Sequence, residues 1–168
     1  MLSCSMEVKT GYFLSPIGLI KIKAETDALI SLKFLDDNSP FEQNSSGSEL
    51  ISRTIKQLDE YFNLKRKEFD LPFHLNGTEF QVRVWNKVLK VPFNHTTTYG
   101  KIAMQLGSIK LVRAVGAANG KNPLPIIVPC HRVIGENNEM VGYSGGLWRK
   151  QWLLEHEAEG RQLTLDLI

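Results

Sequence analysis

The residues with the most reactive chemistry stand in one run, Pro129-Cys130-His131-Arg132. A thiol is nucleophilic as its thiolate, and an ordinary cysteine, with a pKa of about 8.5, is mostly protonated at neutral pH. Cationic neighbours lower that value, so His131 and Arg132 are expected to favour the thiolate and make Cys130 a nucleophile. A lone cysteine in an apolar segment is also an ordinary buried side chain. The adjoining His and Arg weigh against that inert alternative. A second run, Tyr143-Ser144-Gly145-Gly146, follows. Its glycines free the Ser144 N–H for close approach to a ligand, and a plain turn into a helix explains them equally well. No metal is expected: the N-terminal part offers only Cys4 and His74, with no paired spacing of the C-x2-C kind.

These groups need elements to aim them. Ile126-Ile127-Val128, preceded by Pro123 and Pro125, reads as a short apolar strand that delivers Cys130. Upstream, Thr78 and Gln81 form a capping-box pattern for a helix whose apolar stripe is Phe80, Val84 and Val88, with Pro92 at its exit. Residues 98–106 read as a short helix closed by Gly107, and Ser108 as the cap of a further helix reaching residues 119–120. That is a helix-turn-helix pattern, which serves both DNA binding and packed bundles without DNA. The second helix is small-sided, with Ala114, Gly116, Ala117 and Ala118, and it projects Lys110 and Arg113. Those features favour close approach to a phosphate backbone.

Downstream, Val133-Ile134 and Met140-Val141 flank a polar turn that predicts a hairpin or tight loop. Residues 147–157 predict a final helix, with Trp148, Trp152, Leu153 and Leu154 assigned to the core. Glu155, Glu157 and Glu159 would then lie near its C-terminus, against the helix dipole, so at least one needs a specific partner. His74, His95 and His156 read as two loop residues and a helix-end residue.

The first third is different in kind. Residues 7–14, 19–24 and 29–35 read as strands of a small antiparallel sheet, with Ile20, Ile22, Ala24 and then Ile30, Leu32, Phe34 on one parity. Residues 36–47 are polar and read as a loop, and Ser48 caps a helix carrying Ile51, Ile55, Leu58 and Phe62. Lys65-Arg66-Lys67 reads as a solvated helix end before a short strand. The expected fold class is α+β, with an N-terminal sheet-and-helix domain over residues 1–75 and a mostly helical domain over residues 76–168.

Charge agrees with this division. Of 168 residues, 20 are Lys or Arg and 18 Asp or Glu, a net +2 that conceals an asymmetry: residues 1–75 carry 9 basic and 11 acidic groups, residues 76–168 carry 11 and 7. Residues 81–135 hold eight basic residues and no carboxylate, an electrostatic footprint suited to nucleic acid. With 42% hydrophobic residues the chain can bury a core. No apolar run approaches the ~20 residues that span a bilayer, and residues 1–10 lack a leader pattern. Two cysteines, Cys4 and Cys130, are too few for a disulfide framework. An intracellular protein with reduced thiols is expected.

The proline-cysteine-histidine-arginine run, with Arg113-Ala114-Val115-Gly116 before it and Gly142-Tyr143-Ser144-Gly145-Gly146 after it, resembles the methylated-DNA:protein-cysteine methyltransferases. The likeness extends from about residue 80 to residue 157, with Thr98-Tyr99-Gly100-Lys101-Ile102-Ala103 and Asn122-Pro123 in order. It implies a ribonuclease H-like N-terminal part and direct-reversal DNA repair, in which 6-O-methylguanine, and also 4-O-methylthymine, is flipped from duplex DNA. The alkyl group then passes irreversibly to Cys130. It further implies that His131 assists through a water, that Glu157, 27 positions after Cys130, orients the imidazole, and that Asn122 braces the turn beneath. Tyr99 would act on the target phosphate and base, Arg113 would enter the stack, and Lys110, Ala114 and Ala117 would line the minor-groove contact. The carbonyls of Cys130 and Val133 and the N–H of Ser144 would meet the base, and Tyr143 would wall the alkyl pocket. The resemblance implies no cofactor, a monomer, and a cytoplasmic location in a prokaryote or a nuclear one in a eukaryote. The alternatives are a lesion-binding relative that transfers nothing, from which the retained Cys130 separates this chain, and a cysteine hydrolase, which leaves the basic helix-turn-helix unexplained.

Overall fold

The computed structural model describes residues 7–36 and 47–165, with side chains to residue 161; Cys4 and most of the residue 36–47 loop lie outside them. The fold class is α+β, in two compact units, Met1–Leu75 and Asn76–Ile168.

In the first unit, strands β1 (Lys9–Ser15), β2 (Gly18–Ala24) and β3 (Leu29–Leu35) form an antiparallel sheet in that order. Helix α1 (Glu49–Phe62) starts at Ser48, whose Oγ accepts from the Ile51 N–H at 3.3 Å. Its Ile51, Leu58 and Phe62 cover one face of the sheet, where Phe13 stacks on Phe62 at 5.9 Å. Gly11 sits directly under Ile51, where any Cβ would collide with the Ile51 methyl. The pairing register places Phe13, Ile20 and Phe34 in one inward row and Gly11, Ile22 and Leu32 in the next. A bulge between Lys23 and Ala24 pairs Ala24 with Leu29, so Leu29 is buried in place of the expected Ile30. The short strand expected after Lys67 is a single bridge, Leu29 to Phe73. Pro72 has no N–H to extend a ladder.

The second unit begins with α2 (Glu79–Val88), entered through a complete Thr78/Gln81 capping box. Strand β4 (Thr97–Thr98) leads into α3 (Tyr99–Gln105), capped by Thr98, and the chain turns at Gly107, where φ is +114°. Ser108 caps a 3-10 turn (Ile109–Leu111) rather than an α-helix, and α4 (Val112–Gly120) continues from it. Such tightening is common in first turns. The Trp85 indole N–H donates to the Ala118 carbonyl at 2.8 Å and joins α2 to α4. Strand β5 (Val133–Ile134) pairs in parallel with β4, so the segment after it is a tight loop and not a hairpin. That loop is closed by the Gly135 N–H on the Glu139 carbonyl at 2.8 Å, with Asn137 and Asn138 at φ of 56° and 62°.

Four further expectations are corrected here. Residues 126–128 do not form a strand: Pro123 and Pro125 lack donors, Ile126 has φ of +75°, and only a Pro125 to Val128 bridge remains. Helix α5 runs over Leu147–Leu165, so Glu155, Glu157 and Glu159 stand inside it and not against its C-terminal dipole. Trp148, assigned to the core, is 55% exposed, whereas Leu153 is buried and His156 lies within the helix, stacked on Trp152 at 4.8 Å. No helix among the described residues is long and apolar enough to cross a membrane.

Candidate active site

Cys130 opens a 3-10 turn (Cys130–Arg132) entered from Pro129. Its N–H donates to the Val128 carbonyl at 2.7 Å, and the Arg132 N–H donates to the Pro129 carbonyl at 2.9 Å. The missing strand is replaced by a side-chain brace. Asn122 donates from Nδ2 to the Val128 carbonyl at 2.8 Å and accepts the Leu124 N–H on Oδ1 at 2.9 Å. Buried Asn119 on α4 donates to the Cys130 carbonyl at 3.2 Å. The turn that aims the cysteine is thus held by two amides from the helix-turn-helix side of the chain.

Behind it lies a fully buried charge cluster. His131 Nε2 is 2.8 Å from Glu157 Oε1, and Arg132 donates to the same carboxylate through Nε and Nη2 at 2.9–3.2 Å. The Asn94 N–H donates to Glu157 Oε2 at 2.9 Å, and Arg132 Nη1 donates to the Val91 carbonyl at 2.7 Å. Burial pushes the Glu157 carboxyl up, but the hydrogen bonds and charges of His131 and Arg132 outweigh it and hold it well below the usual carboxylate range. Burial drives the His131 pKa down against the pull of Glu157, so the imidazole is neutral at neutral pH. A neutral His131 donating Nε2–H to the carboxylate presents a lone pair at Nδ1, and that buried Nδ1 has no protein partner.

These facts overturn one expectation. The thiol is not lowered by cationic neighbours: His131 is neutral, Arg132 is turned to Glu157, and burial pushes Cys130 up to about 11. A hydrogen bond from Asn122 and the charge of Lys150 pull in the other direction without prevailing. Because the folded value is raised, the thiol's contribution to stability is present below its unfolded pKa and lost as pH rises through about 11. Iodoacetamide should therefore label Cys130, followed by peptide mapping, at pH 8 at least about a hundredfold more slowly in the native protein than in the denatured chain, with the rate climbing up to about pH 11. Equal native and denatured rates at pH 8 would contradict this environment.

A second network surrounds Tyr99. Its hydroxyl donates to the Val141 carbonyl at 2.9 Å, and burial raises its pKa. Lys150, wholly buried on α5, donates to the Val133 and Val141 carbonyls at 2.5 and 2.7 Å and lies 3.5 Å from the Tyr99 oxygen. Burial lowers its pKa to about 8. Gly142, at φ +67°, lets the loop pass Tyr99, since a Cβ there would lie 2.9 Å from the hydroxyl. The Tyr143 hydroxyl is buried with no protein partner, Asn119 Oδ1 likewise, and Ser144 is exposed.

The structure thus joins Cys130, His131, Asn122 and Glu157 through one turn and its supports, and Tyr99 with Val133 through Lys150. Lys110, Arg113, Ala114 and Ala117 belong to neither network; they form the exposed face of the turn and α4, opposite buried Val115, Ala118 and Asn119. Sequence reasoning missed Lys150 and misread Arg132. Lys150, Leu153 and Glu157 share one buried stripe of α5 at helical spacing, and a lysine in such a stripe was the available signal.

Comparison with known proteins finds relatives of both units. Residues 79–159 match the 6-O-methylguanine DNA methyltransferase DNA binding domain, and residues 8–75 match the ribonuclease-like domain of the same family. The methylated-DNA–protein-cysteine methyltransferase of Mycolicibacterium paratuberculosis is 41% identical over 158 residues, covering 92% of this chain and 94% of that protein. Its namesake from Methanosarcina acetivorans is 42% identical over 148 residues, covering 86% and 95%. The crystal structure of Mycobacterium tuberculosis OGT in complex with DNA superposes with a TM-score of 0.81 at 41% identity, over 90% of this chain and 93% of that one. With both of its units matched, the chain belongs to the 6-O-methylguanine DNA methyltransferase family.

Proposed function

We propose that the chain repairs DNA by direct reversal, taking the alkyl group of 6-O-methylguanine, and also of 4-O-methylthymine, onto Cys130. The observation that carries the reading is the buried His131–Glu157 pair next in sequence to buried Cys130, with the imidazole tautomer fixed by the carboxylate and Nδ1 left as an acceptor. The thiol proton passes through a water to His131 Nδ1, and Glu157, itself held in place by Arg132, stabilises the imidazolium that forms. The sulfur attacks the methyl carbon, the carbon–sulfur bond forms as the carbon–oxygen bond breaks, and the departing 6-oxyguanine takes up one proton. The product is a thioether, with no carbonyl for water to attack, so each molecule acts once.

The lesion must leave the stack, because a buried thiol cannot reach a base edge inside the duplex. The exposed, small-sided face of α4 fits close minor-groove approach, with Lys110 against phosphate and Arg113 in the place the base vacates. Tyr99 contacts the extruded nucleotide. The Cys130 carbonyl, which accepts from Asn119 and from the Val133 N–H, and the Val133 carbonyl, which accepts from Lys150, meet the base. The Ser144 N–H and the Tyr143 ring complete the pocket. The test is incubation with duplex DNA carrying methyl-labelled 6-O-methylguanine, followed by peptide mapping. Label confined to the Cys130 peptide, one methyl per protein, is expected; repeated turnover or label elsewhere overturns the reading.

A further inference from the structure

We infer that the face of the β1–β3 sheet opposite α1 is a phosphate-contacting surface for duplex DNA, additional to the helix-turn-helix. The inference rests on the reading of the chain as a protein that acts on DNA, and it assigns the N-terminal unit a part in the grip. Helix α1 covers one side of the sheet. On the other side the register sets Tyr12, Lys21 and Lys33 in one cross-strand row and Thr10, Lys23 and Ser31 in the next. Three lysines and three hydroxyls, on neighbouring strands about 4.8 Å apart, form a donor array with no carboxylate in either row.

Chance placement of charge explains this poorly. Residues 1–75 carry more acids than bases, 11 to 9, yet among the described residues no acid lies in a strand of the sheet. Lys21 and Lys33 stand directly opposite each other, an arrangement that costs stability until an anion lies between them. None of the three ammonium groups has a carboxylate partner among the described residues. Lys21 Nζ instead lies 6.0 Å from the Tyr12 ring centre. An array of ammonium and hydroxyl donors suits phosphate oxygens, which position a protein without reading sequence.

The test uses the full chain and an unmodified, fluorescently labelled long duplex, titrated across a salt series. Lys21→Ala/Lys33→Ala is compared with Arg113→Ala and with the Lys21→Arg/Lys33→Arg variant. The alanine pair is expected to weaken binding about tenfold at 0.1 M salt and to reduce the slope of log affinity against log salt by about two, with arginine restoring both. Methyl transfer to Cys130 from the free base 6-O-methylguanine should be unchanged by the pair. If the alanine pair leaves affinity and slope unaltered while Arg113→Ala weakens binding, the sheet surface is overturned and the DNA reading stands. If neither variant weakens binding, both are overturned. If the alanine pair instead changes the sedimentation of the DNA-free protein with no change in slope, the face joins copies of the chain, and the inference is likewise overturned.

Discussion

Cys130→Ala should abolish methyl transfer completely while leaving the affinity for duplex DNA containing 6-O-methylguanine close to that of the unaltered protein. The loss is total because the thiol is the proposed acceptor and no other free cysteine stands among the described residues. Binding survives because the groups proposed to hold the nucleotide are elsewhere: the α4 face, Tyr99, and the backbone of residues 130, 133 and 144. Removing one small buried side chain leaves a minor cavity, so stability should fall by only about 1 kcal/mol. Transfer in a gel assay, with binding followed by fluorescence anisotropy, separates the two effects. Transfer persisting in the variant would mean another acceptor, and parallel loss of binding would mean that the thiol is structural.

Glu157→Gln should show the largest loss of stability, about 3–5 kcal/mol, because it leaves the buried Arg132 guanidinium without its counter-charge. Against a typical total of about 5–15 kcal/mol, that is enough to shift a denaturation midpoint far. An amide also cannot favour the imidazolium, so transfer by the folded fraction should slow by about 10²–10⁴-fold. The pH dependence follows from the shifts. Glu157 is lowered on folding, so its stabilisation is present above the ordinary carboxylate pKa of about 4.3 and is lost as pH falls towards the folded value. His131 is lowered as well, so stability begins to fall below its ordinary value of about 6.5, where only the unfolded chain takes up the proton. Glu157→Gln should lack the carboxylate part of this acid-side loss. Urea denaturation at pH 7 and pH 4 measures both effects; an unchanged midpoint at pH 7 would show that the cluster contributes nothing.

What was legible in the sequence is what local rules govern. Ser48, Thr78 and Thr98 each cap a helix because the acceptor and its N–H lie within three residues, and the sheet strands follow from alternation and turns. The candidate site was legible at Cys130, His131, Asn122 and Glu157 through motif resemblance, and not through any rule that connects residues 26 positions apart. Where long-range partners decide, local reading failed. Residues 126–128 have strand composition, but no strand among the described residues pairs with them; the Val128 N–H turns back to the Leu124 carbonyl and the Val128 carbonyl accepts from Asn122. Helix α5 continues past Glu157 because its acids face inward to His131 and Arg132 or outward to solvent, so a dipole argument based on its end had no purchase. The thiol pKa was misjudged because adjacency in sequence is not direction in space: Arg132 follows Cys130 by two residues and points its charge at α5.

That same carboxylate has a bearing on synthesis. Glu157 closes contacts to Asn94, His131 and Arg132 across 63, 26 and 25 residues, so none can form before α5 has left the ribosome. Until then Cys130 of the nascent chain is an ordinary thiol, open to any electrophile in the cell. Docking of the last helix on the Cys130 turn shelters it, and newly made molecules pass through a short interval in which the proposed acceptor can be wasted.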